Sequence, residues 1–285
     1  MRVIVLGASG MLGSAVFRGL SASESLSVFG TVRSVRGLDS FDKSMKDRLI
    51  SGIDVLDSDS LIELFLNVAP DVVVNCVGLV KQLSSAKDPL STLPVNAMLP
   101  HRLSKICALS NARLIHISTD CVFSGRKGMY LESDISDAED LYGKSKFIGE
   151  VIDQSHAITL RTSIIGHELN SQSSLIDWFL SQTGPVKGYS RAIFSGVPTV
   201  ELTRIILEYV IPNPTLHGLY HVSAEPIDKY SLLKLVSSVY QKSVEIQPNE
   251  ELVIDRSLNS NRFRSATGYT PPSWPALIEK MHSQY

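Results

Sequence analysis

The feature that most constrains this chain lies at its start. A short apolar run, Val3 to Leu6, opens directly into Gly7-Ala8-Ser9-Gly10-Met11-Leu12-Gly13, and Ser14 to Leu20 continues at helical spacing. Glycines in a strand-to-helix turn do separable jobs: they tighten the turn, let the backbone approach a pyrophosphate, and let the helix pack closely on the strand. The unpaired N–H groups that begin the helix then stabilise an anion. A glycine pattern alone is weak evidence, but a strand before it and a helix after it supply the context it requires. Gly7, Ser9, Gly10, Met11, Leu12 and Gly13 are therefore expected to cradle a dinucleotide.

Up to about Gly166, short β-branched runs alternate with longer segments of helical period, the sign of parallel strands joined by crossover helices. Strands are expected at Val3 to Leu6, Leu26 to Thr31, Val72 to Cys76, Leu114 to Ser118 and Ile158 to Arg161, with a short one before Asp54. Runs such as Val72-Val73-Val74 do not alternate, as befits a parallel strand covered on both faces. The fold class is α/β: a doubly wound, Rossmann-like parallel sheet with a second, smaller α/β substrate domain. Beyond Gly166 the pattern loosens, although Val200 to Val210 and Ser231 to Tyr240 keep helical spacing, with Thr199 and Asp228 or Ser231 as N-caps. The expected division is residues 1–166 for the dinucleotide, rejoined by about 193–223, and residues 167–192 with 224–285 for substrate. The strand-like Leu219 to Val222 is expected to return to the main sheet.

Composition narrows the function. With 285 residues, 27 basic against 29 acidic side chains and a net charge of −2, the chain has no basic stripe. Duplex nucleic acid, whose binding rests on phosphate contacts, is not an expected partner. A chain this long buries roughly 75% of its unfolded surface without covalent staples. Cys76, Cys107 and Cys121 are odd in number and lack CxxC spacing, so neither a disulfide framework nor a thiolate metal site is expected. No histidine and carboxylate set has metal-site spacing. A reducing, cytoplasmic setting is expected, with no export signal and no membrane partner, because no apolar stretch approaches the ~20 residues of a span.

The end of the second strand reads Thr31-Val32-Arg33, with no acidic residue to bond an adenosine ribose. Arg33, helped by Arg36, offers a planar fork to a 2′-phosphate, which favours NADP(H) over NAD(H). The plain alternative is a solvated arginine. Asp54 and Val55 fall where the adenine would be held, and Cys76 and Val77, at the end of the Val72 strand, complete the cofactor set.

Tyr142 and Lys146 lie four residues apart, on one face of a helix. Spacing alone proves nothing, since Tyr230 and Lys234 repeat it. The first pair differs in its company: it follows a strand whose carboxyl end carries Thr119-Asp120, and ligands of open α/β sheets bind beside such ends. Tyr142 is read as chemical and Tyr230 as packing.

These residues resemble the extended short-chain dehydrogenase/reductases. The likeness rests on the glycine loop, Ser118-Thr119-Asp120-Cys121-Val122-Phe123, Tyr142-Gly143-Lys144-Ser145-Lys146 and Gly149-Glu150. Leu160 to Ser163, Gly196 to Thr199 and Gly218 to Ser223 extend it over nearly the whole chain, with most likeness to the dTDP-4-dehydrorhamnose reductase branch. The resemblance implies hydride transfer from NADPH to the 4-keto carbon of a nucleotide-linked 6-deoxyhexulose. It gives Thr119 the carbonyl oxygen to position, Tyr142 the proton to deliver, and Lys146 the task of lowering the phenol pKa and holding ribose hydroxyls. Val80, Cys121, Phe123 and Ser163 fall to substrate, and a homodimer is the assembly it suggests.

Where rhamnose-forming relatives carry a tyrosine and a tryptophan, this chain has Cys121 and Ile164, and its Val77 to Asp88 segment also departs. Two other readings stay open. Cys121 has the spacing of the cysteine base in GDP-fucose synthase, with His167 the nearby histidine. The regulatory subunit of methionine adenosyltransferase resembles the same family, binds NADP and acts through a partner. Arg161, Arg191 and Arg256 are candidates for a substrate diphosphate. His116 is read as a core histidine, the acidic Glu132 to Asp140 as a solvated loop, and Trp178 as either core or sugar contact.

Overall fold

The computed structural model describes residues 1–81, 84–169 and 171–284. Its centre is a seven-stranded parallel sheet. We number its strands β1 (Arg2–Leu6), β2 (Ser27–Val32), β3 (Leu49–Ser51), β4 (Val72–Asn75), β5 (Arg113–Thr119), β6 (Ala157–Thr162) and β7 (Gly218–His221). Their order across the sheet is β7-β6-β5-β4-β1-β2-β3, so the chain reverses direction between β1 and β4. That reversal opens a crevice at the carboxyl ends, where ligands of this architecture bind.

Burial explains the unbroken apolar runs. Val3, Val5, Val72 and Val74 enter the core on one face, while Ile4, Leu6 and Val73 enter the core on the other. A strand lined on both sides by helices has no solvent face to mark with polar residues. The covering helices relevant below are α1 (Met11–Ser21), α2 (Ser58–Val68), α3 (Leu99–Leu109) and α4 (Leu141–Ile148).

The expected strand positions hold to within about a residue at most ends. The return of the distal half is also seen, with β7 paired to β6 through Leu219↔Thr159 and Tyr220↔Leu160. The expected cap at Thr199 is not observed: Pro198 occupies that position and Thr199 is the first helical residue. Its hydroxyl is tucked against Gly166 instead, where a Cβ would lie 2.5 Å from it. In helix Lys229–Val239, Asp228 is the cap, its carboxylate accepting the Ser231 N–H at 2.8 Å. Tyr230 packs over Gly188 and beneath Lys234, whose ammonium lies 5.4 Å from the ring centroid, which makes this second Tyr/Lys pair a packing feature.

Among the described residues, no helix is long and apolar enough to cross a membrane, and no group of three or more His, Cys, Asp or Glu is placed to hold a metal ion.

Candidate active site

The glycine loop is built as its sequence demands. Gly7 adopts φ +81°, closed to most side chains, and a Cβ on Gly13 would lie 2.0 Å from the Gly7 carbonyl oxygen. Glycine at both positions lets α1 start directly on the strand end. The first turn of α1 has no side-chain cap and no acidic residue, so its N–H groups face the crevice as an anion site. Ser9 and Met11 are half-buried there, whereas the Leu12 side chain is core, leaving only its backbone for a ligand. Beside the loop, Gly37 sits 3.6 Å, Cβ position to Cβ, from Ser9, which brings the exposed Arg33 and Arg36 turn next to it. Asp54 is exposed and its carboxylate caps the Leu56 N–H at 2.9 Å; Val55 packs partly into the core beneath β3. Val77 lies against Gly7, a Cβ on which would meet Val77 Cγ2 at 3.0 Å.

At the end of β5, Thr119 caps a single 3₁₀ turn, Asp120–Val122, by accepting the Cys121 N–H at 3.1 Å. Helix α4 is pressed against this turn because residue 143 is glycine: a Cβ there would lie 2.2 Å from the Cys121 carbonyl oxygen. The close approach brings Tyr142 to the Thr119 hydroxyl. Burial raises the phenol pKa above its ordinary value, with neighbouring Cys121 and Asp120 adding to the rise and the Thr119 hydrogen bond opposing it. The expected lowering of this phenol is therefore not observed in the protein alone. Lys146, one turn along α4, donates to the Ile117 carbonyl oxygen of β5 at 2.8 Å. Burial lowers its pKa to about 8, against the attraction of Glu150 and Cys76. Thr119, Tyr142 and Lys146 thus converge beside the carboxyl ends of β4 and β5.

A buried polar chain backs this trio. Glu150 accepts Ser118 Oγ at 2.6 Å and Arg161 Nε at 2.9 Å, and its second oxygen takes Arg161 Nη2 at 2.5 Å. Arg161 also meets His221 Nε2 at 2.9 Å. This corrects the candidacy of Arg161 for a diphosphate, because its guanidinium is enclosed and paired. Phe123 is corrected likewise: its ring is fully buried, stacked on Tyr130 with centroids 4.0 Å apart and covered by Arg161 at 5.0 Å, so it presents no surface to substrate. Val80 is 46% exposed at the rim, and Ser163 lies beside Asp120. Arg191 is exposed. Trp178 is 37% exposed, so it is not a core side chain. Of the Val77 to Asp88 segment, Gln82 and Leu83 lie outside the described residues.

The contacts described for Cys121 are with Thr119 and Arg256. His167 is held between Asp177 and Tyr240 at 2.7 Å each, and burial pushes the Cys121 thiol up to about 12, with Asp120 raising it and Arg256 opposing. Cys76 is likewise pushed up to about 12 by burial, against Lys146. His116 is a core residue, bonded to Asn75 at 3.1 Å through Nδ1, while Nε2 has no hydrogen-bond partner among the described residues. The acidic loop is matched by residues that precede it: Lys127 pairs with Asp134, Ser124 with Asp137, Arg126 with Glu139, and Lys81 with the α4 cap Asp140.

Two residues escaped sequence reading. Lys229 faces Asp120 and Cys121 from the start of its helix, its pKa lowered by burial against their attraction. Asn96 bonds both the N–H and the carbonyl of Leu79, at 2.9 and 3.0 Å, and fixes the path of the segment after β4. Neither carries a motif; both reach the cleft only through tertiary packing.

Residues 1–281 match the family described as the RmlD substrate binding domain. The chain belongs to this family. Among curated proteins, the RmlD-family chain is 26% identical to methionine adenosyltransferase 2 subunit beta of Mus musculus, with 99% of this chain and 90% of that protein covered. It is 23% identical to dTDP-4-dehydrorhamnose reductase of Aggregatibacter actinomycetemcomitans, over 82% of this chain and 87% of the relative. Its fold is similar to that of the Bacillus anthracis dTDP-4-dehydrorhamnose reductase solved in complex with NADP, with TM-score 0.79, 21% identity and 99% coverage of both chains.

Proposed function

We propose that this RmlD-family chain uses NADPH to reduce the 4-keto group of a nucleotide-linked 6-deoxyhexulose, in deoxysugar biosynthesis for surface polysaccharide. The observation that carries the reading is the meeting of Tyr142 with the Thr119 hydroxyl, with Lys146 one helical turn on, at the crevice that the glycine loop opens. Residues 1–166 and the returning 193–223 are proposed to hold the cofactor, and residues 167–192 with 224–285 the sugar.

The loop fits a dinucleotide because α1 leaves its first-turn N–H groups uncapped beside glycines that bring the backbone close. Gly7, Ser9 to Gly13, Arg33, Asp54, Val55, Cys76 and Val77 would hold it. Bound there, NADPH supplies the hydride. Thr119 directs its hydroxyl at the carbonyl oxygen, and Tyr142 gives that oxygen its proton. A phenol with ordinary pKa about 10 is a weak acid at neutral pH, so a nearby ammonium on Lys146 that favours the phenolate raises its power as a donor. Exclusion of water by the buried walls strengthens each of these interactions.

Two expected outcomes arise here. Because Lys146 titrates at about 8 in the free protein, and the charged form is the useful one, kcat/KM should fall as pH rises through about 8; a flat profile to pH 10 would remove Lys146 from the role. Arg33→Ala should weaken NADPH by about 10- to 100-fold, the worth of a charge-assisted bond, with NADH little changed, as read by fluorescence titration.

A second reading is favoured by the likeness to methionine adenosyltransferase 2 subunit beta over almost the whole chain: a cofactor-binding subunit that acts through a partner. Following NADPH consumption with dTDP-, UDP- and GDP-linked 4-keto sugars separates the two. Turnover with any of them supports the reductase; cofactor binding without turnover supports the regulatory subunit.

A further inference from the structure

Residues 254–259 lie across the loop that follows the Thr119 turn and are stitched to it through the main chain. Asp255 donates its N–H to Gly125 O at 2.7 Å, Tyr130 to Ser257 O at 2.9 Å, and Asn259 to Tyr130 O at 2.8 Å. Met129 N–H adds a bond to Ser257 Oγ at 2.8 Å. Gly125 makes the contact feasible: its φ is +88° and a Cβ would lie 2.4 Å from Ile254 Cγ1. From the middle of this strap Arg256 turns inward. Its Nε donates to the Phe123 carbonyl oxygen at 2.7 Å, and Nη1 lies 3.6 Å from Cys121 Sγ.

We infer that Arg256 is a positioning residue for the proposed reduction, holding both arms of the Asp120–Phe123 turn so that the Thr119 hydroxyl keeps its aim. The inference rests on the reductase reading of Thr119. The turn is one 3₁₀ turn long, and the Thr119 hydroxyl is held within it, accepting the Cys121 N–H at 3.1 Å and donating to Asp120 Oδ1 at 3.2 Å. Both partners belong to the turn, so a shift of the turn moves the hydroxyl with it. The Phe123 side of the turn is already fixed, since its ring is locked between Tyr130 and Arg161. On the Cys121 side the backbone rests against Gly143 of α4, and the thiol meets Arg256. A guanidinium spans the two arms with separate N–H groups in a fixed plane, which a lysine ammonium cannot do. The same cation also balances the buried Asp120 carboxylate, whose pKa burial raises and Arg256 pulls back.

The test uses the full chain with Arg256→Ala and Arg256→Lys. In Arg256→Ala, kcat should fall about 100-fold, as a misplaced catalytic group does, with the sugar KM changed less than about threefold, since uniform binding is untouched. Added guanidinium ion should restore part of the rate, and Arg256→Lys should remain impaired. Deuterium exchange at the Cys121 and Phe123 amides, read on a peptide spanning residues 119–124, should accelerate about tenfold, matching the loss of one charge-assisted bond. A raised KM with kcat retained would overturn the inference and make Arg256 a substrate-anion ligand. Unchanged exchange would overturn it too. If the wild-type chain reduces no keto sugar, the reductase reading fails on its own, and the exchange measurement still decides whether Arg256 holds the turn. Should Arg256→Ala not fold, Arg256→Gln carries the same two readouts.

Discussion

Tyr142→Phe should lower turnover by about 10²- to 10⁴-fold while NADPH binds nearly as before, since the change removes only the proton that must reach the carbonyl oxygen. The ring stays and the cleft keeps its shape. The phenol is not on the glycine loop, so the cofactor's phosphates lose nothing. What disappears is the donor that sits beside the Thr119 hydroxyl. Stopped-flow absorbance with a productive sugar, alongside a cofactor titration, measures both quantities. A variant with near wild-type kcat would assign the proton to another group, with Asp120 and Cys121, which both act on the phenol, the first to test.

Glu150→Ala carries the largest expected effect on stability. Glu150 and Arg161 have side chains only 3% and 2% exposed, and removing the carboxylate leaves a guanidinium buried without its partner. Such a break costs roughly 3–5 kcal/mol, against a total of about 5–15 kcal/mol for a typical domain. Ser118, next to Thr119, loses its acceptor at the same stroke. Urea unfolding should show a midpoint shifted strongly downward. The pair Glu150→Leu with Arg161→Met should recover much of the loss, because an apolar pair leaves no charge stranded. Equal losses in the single and double variants would show that packing, rather than the stranded charge, sets the cost.

The α/β plan was legible because parallel strands buried on both faces announce themselves as unbroken apolar runs, and because glycine is required where α1 meets β1. Tyr142 and Lys146 could be separated from their look-alikes, Tyr230 and Lys234, by the strand end that precedes them. What sequence could not disclose depends on contacts between distant segments. Phe123 follows Thr119 closely enough to suggest a cleft residue, yet its ring is drawn inward by Tyr130 and Leu258. Arg161 resembles a free cation until Glu150 is placed beside it. Lys229 and Arg256 approach Asp120 from more than a hundred residues along the chain; no local pattern marks Lys229, and Arg256 reads in sequence only as a cation for a diphosphate. The direction of the Tyr142 pKa also follows from enclosure, which spacing does not encode.

On the proposed function, a hydride reaches a sugar carbon in this cleft. Incubation with NADPH deuterated at the transferring position and a nucleotide-linked 4-keto-6-deoxyhexulose, followed by mass and NMR analysis of the sugar, tests it most directly. One deuterium is expected at C4 of the product, formed by the wild-type chain and not by Tyr142→Phe. Unlabelled sugar and intact cofactor, under conditions in which the cofactor is shown to be bound, would contradict it.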